Sequence, residues 1–276
     1  MLYKDILDNY DSMAAVIIKD MDAIKKEYGR KRRTAIENAE EAVYEEKKME
    51  EMEVCFLMDR FGYMKLIDKN AYERNKEAVH NENKYVFNCM NTDKICIFTD
   101  TGKMHTIKAV DIPLGRFRDK GTPVDNLSNY DSSQERMLYV APVGQLRSDR
   151  LLFVTKTSMC KLVEGAEFDV AKRTIASTKL ADEDELIFIG SASEMEQIVL
   201  QSHGGCFLRF LTQEVSTMKK TALGVRGMKL ADDDYLEHAY LLAGHQEYTI
   251  SYHDKEYALN KVRLAKRDTK GIKPRI

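Results

Sequence analysis

From Glu53 onward apolar and polar residues alternate with a period of two, the pattern of half-buried strands. Five times an apolar run meets a tight turn and returns as another run, which predicts five β-hairpins. They are Val54 to Ile67 around Asp59-Arg60-Phe61-Gly62, Ile95 to Ile107 around Asp100-Thr101-Gly102, and Leu151 to Val163 around Lys156-Thr157-Ser158. Ile198 to Phe210 follows around Ser202-His203-Gly204, and Tyr240 to Tyr252, the most worn copy, around Ala243 to Glu247. With Gly62, Gly102, Ser158, Gly204 and Gln246 as turn markers the spacings are 40, 56, 46 and 42 residues. Repeats of this length indicate a propeller, a solenoid or an array, and each unit must bury its apolar face on a neighbour. A closed ring of about five β blades is the favoured form. The second unit carries the largest insertion, Asn126 to Asp149.

Before Glu53 the period changes. Leu7, Tyr10, Ala14, Ile17, Met21, Ile24 and Tyr28 alternate at spacings of three and four, so they share one helix face, and Gly29 is placed to end that helix. The face packs on its own protein or docks on a parent or partner helix. After the basic run Arg30 to Arg33, Thr34-Ala35-Ile36-Glu37 reads as a capping box and Ala35 to Glu51 as a helical linker. The division is a helical connector over 1–52 and a β domain over 53–276.

Composition narrows the function classes. The chain of 276 residues is 43% hydrophobic, enough for a core, and has no apolar stretch long enough to span a membrane. Its start lacks the apolar run of a secretory signal. Five cysteines form no C-x-x-C pair, and four lie in or beside apolar strands, which fits a reduced cytoplasmic compartment. The net charge of −2 argues against a uniformly basic surface, but charge is unevenly placed. Lys261 to Arg275 holds seven basic residues against Asp268 alone.

Catalytic signals are weak. The six histidines are scattered without metal-ligand spacing, so no metal site is expected. Ser158-Met159-Cys160-Lys161 matches S-x-x-K, but on a hairpin rather than the helix that nucleophile motif needs. The paired carboxylates Asp182 to Glu185 and Asp232 to Asp234 read as loop chemistry. What recurs is basic charge on the segment after each hairpin. These residues are Arg116, Arg118 and Lys120; Lys172 and Arg173; Lys219, Lys220, Arg226 and Lys229; and Lys266, Arg267 and Lys270. In register around a ring they would form a positive belt suited to a phosphate backbone, with neighbouring glycines admitting phosphate to backbone N–H groups. The absence of Trp disfavours single-strand stacking.

These features lie in a wider likeness. Ile24-Lys25-Lys26-Glu27-Tyr28-Gly29-Arg30-Lys31-Arg32-Arg33-Thr34, Phe61-Gly62-Tyr63-Met64-Lys65, Phe98-Thr99-Asp100-Thr101-Gly102-Lys103, Ile112-Pro113, Gly121-Thr122-Pro123, Phe153-Val154-Thr155-Lys156 and Gly224-Val225-Arg226-Gly227 follow one another in a family's order. The chain resembles the C-terminal part of the A subunit of bacterial type IIA DNA topoisomerases, gyrase or topoisomerase IV. The resemblance implies that residues 1–52 are the last helices of the breakage-reunion region and its connector. It implies that 53–276 are a β-pinwheel, propeller-like with strand exchange, whose basic outer edge bends duplex DNA. Lys65, Lys273 and Arg275 join the basic residues above as implied DNA contacts.

Implied partners are duplex DNA, the ATPase B subunit, and the remainder of the protein to which such a C-terminal part belongs. The implied location is the bacterial cytoplasm, at the nucleoid. The catalytic tyrosine, its arginine and the ATPase part belong to regions outside this chain. It is therefore expected to be non-catalytic alone and to need no cofactor, ATP and Mg serving the full enzyme. Two departures point toward a topoisomerase IV-like or degenerate form. Tyr72 to His80, where gyrase carries a box of the form Q-R-R-G-G-K-G, has neither glycine nor a dense basic run, and the chain ends in its fifth repeat. The alternative is a protein-interaction propeller without DNA affinity.

Overall fold

Two helices open the chain, α1 (Leu2–Asp8) and α2 (Tyr10–Tyr28). The single helix predicted is broken at Asn9, whose backbone is extended and whose side chain accepts a hydrogen bond from the Asp11 amide at 3.0 Å. Gly29 ends α2 with φ −61, so it does not take the left-handed conformation its type suggested. No residue of α2 is buried, and the predicted face, from Leu7 to Tyr28, is exposed.

The computed structural model describes residues 2–31, 34, 50–244 and 247–274. All of the predicted capping box but Thr34, and nearly all of the linker predicted over 35–51, lie outside them. Met1–Met49 and Glu50–Ile276 are separate compact units.

The second unit is mainly β. In chain order it has β1 (Glu53–Asp59), β2 (Tyr63–Asp68), α3 (Lys69–Arg74), α4 (Lys76–Glu82), β3 (Asn83–Met90), β4 (Lys94–Thr99) and β5 (Lys103–Lys108). There follow β6 (Thr122–Pro123), α5 (Val124–Leu127), β7 (Met137–Pro142), α6 (Val143–Leu146), β8 (Arg150–Thr155), β9 (Met159–Glu164) and β10 (Thr174–Ala176). The rest are β11 (Leu186–Ser191), β12 (Gln197–Ser202), β13 (Phe207–Leu211), β14 (Val225–Arg226), β15 (Leu236–Leu242), β16 (Thr249–Tyr252) and β17 (Lys255–Ala258).

The five hairpins are β1–β2, β4–β5, β8–β9, β12–β13 and β16–β17. Gly62, Gly102, Ser158, Gly205 and Asp254 take positive φ at their turns. The fifth hairpin therefore turns at His253-Asp254, not between Ala243 and Glu247. The apolar run at Tyr240 misleads because β15 is the outer strand of the fourth blade, paired with β12 and sandwiched between two cores.

Each hairpin acquires strands by exchange. The sheet orders are β3-β1-β2-β6, β10-β5-β4-β7, β11-β8-β9-β14 and β13-β12-β15. Thus β3, β7, β11 and β15 return beside the first strand of their own hairpins. In contrast β6, β10 and β14 come from the segment after the next hairpin and cross back to the second strand of the blade before. Ile272 bridges Phe207 in the same way. Gly121 (φ +83) and Gly224 (φ +109) allow two of these crossings, because a Cβ there would lie 2.5 Å from Met64 O and 2.7 Å from Cys160 O. The close approach serves strand exchange. Gly224→Ala should therefore cost roughly 1–3 kcal/mol of backbone strain, measured by urea unfolding; an unchanged midpoint would refute that role.

Burial follows the chain of blades. Separate cores join the first and second, second and third, third and fourth, and fourth and fifth hairpins. These four cores link consecutive hairpins one to the next, as expected of propeller-like blades. The outer side of the first blade is covered by α3 and α4, where Val79 and Tyr72 pack with Cys55, Leu57 and Ile67.

Candidate functional site

The recurring element is the segment that leaves a hairpin, makes a 3-10 turn and crosses to the preceding blade. The turns are Ala109–Asp111, Gly165–Phe168, Thr212–Glu214 and Leu259–Lys261. A buried apolar residue closes each: Ile112, Phe168, Val215 and Val262. Four positions further on stand Arg116, Lys172, Lys219 and Lys266, all exposed. Four crossing segments thus present a cation at the same place. Just before three of them, Leu114 and Thr217 bridge in parallel to Leu66 and Leu162, and Leu264 to Arg209, which fixes where those segments meet the previous blade.

The other predicted cations divide by their surroundings. Arg118, Lys120, Arg173, Lys229, Lys270 and Lys273 are exposed, and the Lys120 ammonium lies 4.3 Å from the centroid of the Tyr63 ring. Lys220 is tied down: its amide donates to Glu167 Oε2 at 3.1 Å and its Nζ to Glu167 O at 2.9 Å. Arg267 repeats this on Glu214, through its amide at 2.9 Å and its Nε at 3.1 Å. Arg226 pairs with Asp268, whose carboxyl that guanidinium holds below its ordinary value. Arg275 lies outside the described residues.

Lys65 faces another way. On β2 opposite Leu57, its Nζ donates to Phe117 O and Asp119 O, each at 2.5 Å. Lys161, opposite Phe153 on β9, does the same to Lys220 O and Ala222 O at 2.7 Å each. Arg209, opposite Val199 on β13, donates to Asn260 O. In the second blade the position is His105, opposite Ile97, which lies 3.1 Å from Thr174 Oγ1 and 3.0 Å from Glu135 Oε2. Burial would raise the Glu135 carboxyl, but hydrogen bonds from Lys103, His105 and Thr99 hold it down at about 2. Burial lowers the Lys161 ammonium to about 8. The sequence signal for this position was a lone cation inside an apolar strand.

The remaining candidate chemistry is structural. Ser158 Oγ accepts from the Met228 amide at 2.7 Å, while Lys161 holds the carbonyls above, so the S-x-x-K pair serves two separate bonds. Asp184 accepts from the Thr157 amide at 3.0 Å and its hydroxyl at 2.6 Å, and Asp234 from the Gly204 amide at 2.8 Å. Each carboxylate caps the turn of a neighbouring hairpin. Among the described residues no group of three His, Cys, Asp or Glu side chains could hold a metal, and no helix is long and apolar enough to cross a membrane.

This repeat has known counterparts. Residues 93–132, 149–193 and 196–243 match the family described as DNA gyrase C-terminal domain, beta-propeller. Each span starts at or just before the first strand of a hairpin, and together they cover more than half of residues 50–276. The β unit belongs to the DNA gyrase A C-terminal domain family.

The DNA gyrase A protein of Clostridium acetobutylicum is 29% identical over 235 residues, which cover 81% of this chain and 28% of that protein. Its counterpart in Ureaplasma parvum is 24% identical, covering 98% of this chain and 34% of its own length. This chain thus spans about a third or less of the curated relatives it matches. Among solved structures, the C-terminal domain of DNA topoisomerase IV superposes with a TM-score of 0.70 at 22% identity, covering 81% of this chain and 72% of that one. The E. coli ParC C-terminal domain gives 0.64 at 15%, covering 81% and 94%. The two likenesses support the gyrase-family fold.

Proposed function

We propose that this chain is a non-catalytic, duplex-DNA-binding part of the A subunit of a type II DNA topoisomerase. In this reading it engages DNA along its crossing segments and supports topology change by the full, ATP-hydrolysing enzyme. The observation that carries the reading is the exposed cation repeated at Arg116, Lys172, Lys219 and Lys266. Arg118, Lys120, Arg173, Lys229, Lys270 and Lys273 would add to the same field. Cations spaced along a series of blades match a phosphate backbone without reading base edges, so affinity should be electrostatic and indifferent to sequence. Residues 1–52 would be the end of the breakage-reunion region and its connector, joining this unit to the rest of the A subunit. The ATPase B subunit would work through that assembly, at the bacterial nucleoid.

The test is duplex affinity of the whole chain against salt. Replacing Arg116, Lys172, Lys219 and Lys266 together by Ala should weaken binding to all duplexes alike. Each phosphate contact contributes roughly 0.9 to the logarithmic slope, so the slope should fall by about 3 to 4. Long duplexes should bind more tightly than short ones, since only they can touch several blades. An unaltered slope would favour the protein-interaction reading.

A further inference from the structure

The lysines inside the blades bear on the same surface. Lys65 and Lys161 stand at one register position, and each sends its ammonium to two carbonyls of the next blade's crossing segment. Those carbonyls belong to Phe117 and Asp119 in one case and to Lys220 and Ala222 in the other. Phe117 directly follows Arg116, and Lys220 directly follows Lys219. Each ammonium, that of Lys161 buried and that of Lys65 half-buried, therefore fastens the loop immediately behind an exposed cation.

Stability alone gives no reason for a charge here. Lys161 is 1% exposed beside the Phe153 ring, and its ammonium meets carbonyls rather than a carboxylate. Glu167 favours the Lys161 ammonium only through space, so burying that charge is still costly, and an apolar side chain of similar length would avoid that cost. What an apolar residue could not do is hold two carbonyls and fix the turn that Ala222 N closes onto Lys219 O at 2.9 Å. A fixed loop presents its cation without the ordering cost of a mobile one.

We propose that Lys65 and Lys161 are positioning residues for duplex DNA, each holding the loop that presents Arg116 or Lys219 to a phosphate. The proposal rests on the DNA-binding reading above.

Lys161→Met in the whole chain tests it through two readouts. The first needs no DNA: amide hydrogen exchange at Met218 to Ala222 should rise, with the rest of the unit still protected. The second is the salt slope of duplex binding, which should shrink by about 0.9, as for Lys219→Ala itself. The double variant should lose no more than either single one, because both changes remove one contact. Lys161→Arg, which keeps a cationic donor at this position, should restore much of the slope. Unchanged exchange overturns the clamp whatever the DNA result. Faster exchange with an unchanged slope overturns the positioning role. A wild-type chain with normal exchange but no salt-sensitive affinity overturns the DNA reading, and this proposal with it.

Discussion

Raising the pH from 9 toward 11 is expected to unfold the β unit. Burial pushes the Cys55 thiol up to about 11 and those of Cys89, Cys96 and Cys160 to about 12, from an ordinary value of 9.0. It also pushes the Tyr85, Tyr139 and Tyr240 phenols up to about 12 from 10.0. A group whose folded pKa is raised stabilises fully below its unfolded value and loses that contribution as pH rises toward the folded one. The window is therefore 9 to about 12. Lys161 acts oppositely, being lowered to about 8, so it favours folding as pH rises toward its ordinary 10.5. Burial lowers the Lys65 and Lys84 ammonium groups as well, so three lysines stand against these seven groups. At about 1.4 kcal/mol per pKa unit, ionising the buried thiols near pH 11 costs several kcal/mol, a large share of an ordinary domain's roughly 5–15 kcal/mol. Far-UV circular dichroism should show one cooperative loss of strand signal, with thiolate absorbance appearing in the same transition. Thiolate forming well below that transition, or a β signal intact at pH 11, would contradict this account.

The same burial explains which parts of the fold were legible. Val54 to Ile67 and Ile95 to Ile107 could be read because both strands of each hairpin are apolar and a positive-φ residue marks the turn. The exchanged strands were hidden, since β6 and β14 are two residues long and their partners lie in the preceding blade. No local pattern encodes such a partner. β15 was misread for the reverse reason: it is apolar like a hairpin strand yet belongs to the blade before. Tyr72 to His80 showed what was missing, glycine and dense basic charge, but not that α3 and α4 would fold over the first blade. At the candidate site the exposed cations could be counted from sequence. Which cations were spent internally could not, because Lys65 and Lys220 differ from Arg116 only in the atoms that surround them, and Lys219, though exposed, lies 3.4 Å from Glu167 Oε1.

Phe98→Ala should be the most damaging single change in the β unit. Phe98 is fully buried where the second and third blades meet, with its ring edge-on to Phe168 at 5.0 Å and to Phe153 at 6.2 Å. It shares that core with Cys96 and Met104 of one blade and Leu151 and Val163 of the next. Truncation leaves a cavity between two sheets that main-chain pairing prevents from collapsing, at a cost of about 3–5 kcal/mol. Lost ring–ring contacts add about 0.5–1.5 kcal/mol for each pair. Phe98→Leu keeps most of the volume and should cost appreciably less. Urea unfolding of both variants measures the difference, and a loss below about 1 kcal/mol for Phe98→Ala would show that the sheets close over the gap. The joint also bears on DNA. It fixes how far Arg116 stands from Lys172, so Phe98→Leu, still folded, should reduce the preference for long duplexes while leaving the affinity for short ones almost unchanged. Equal weakening at every duplex length would separate the stability of this joint from the spacing of the cations it carries.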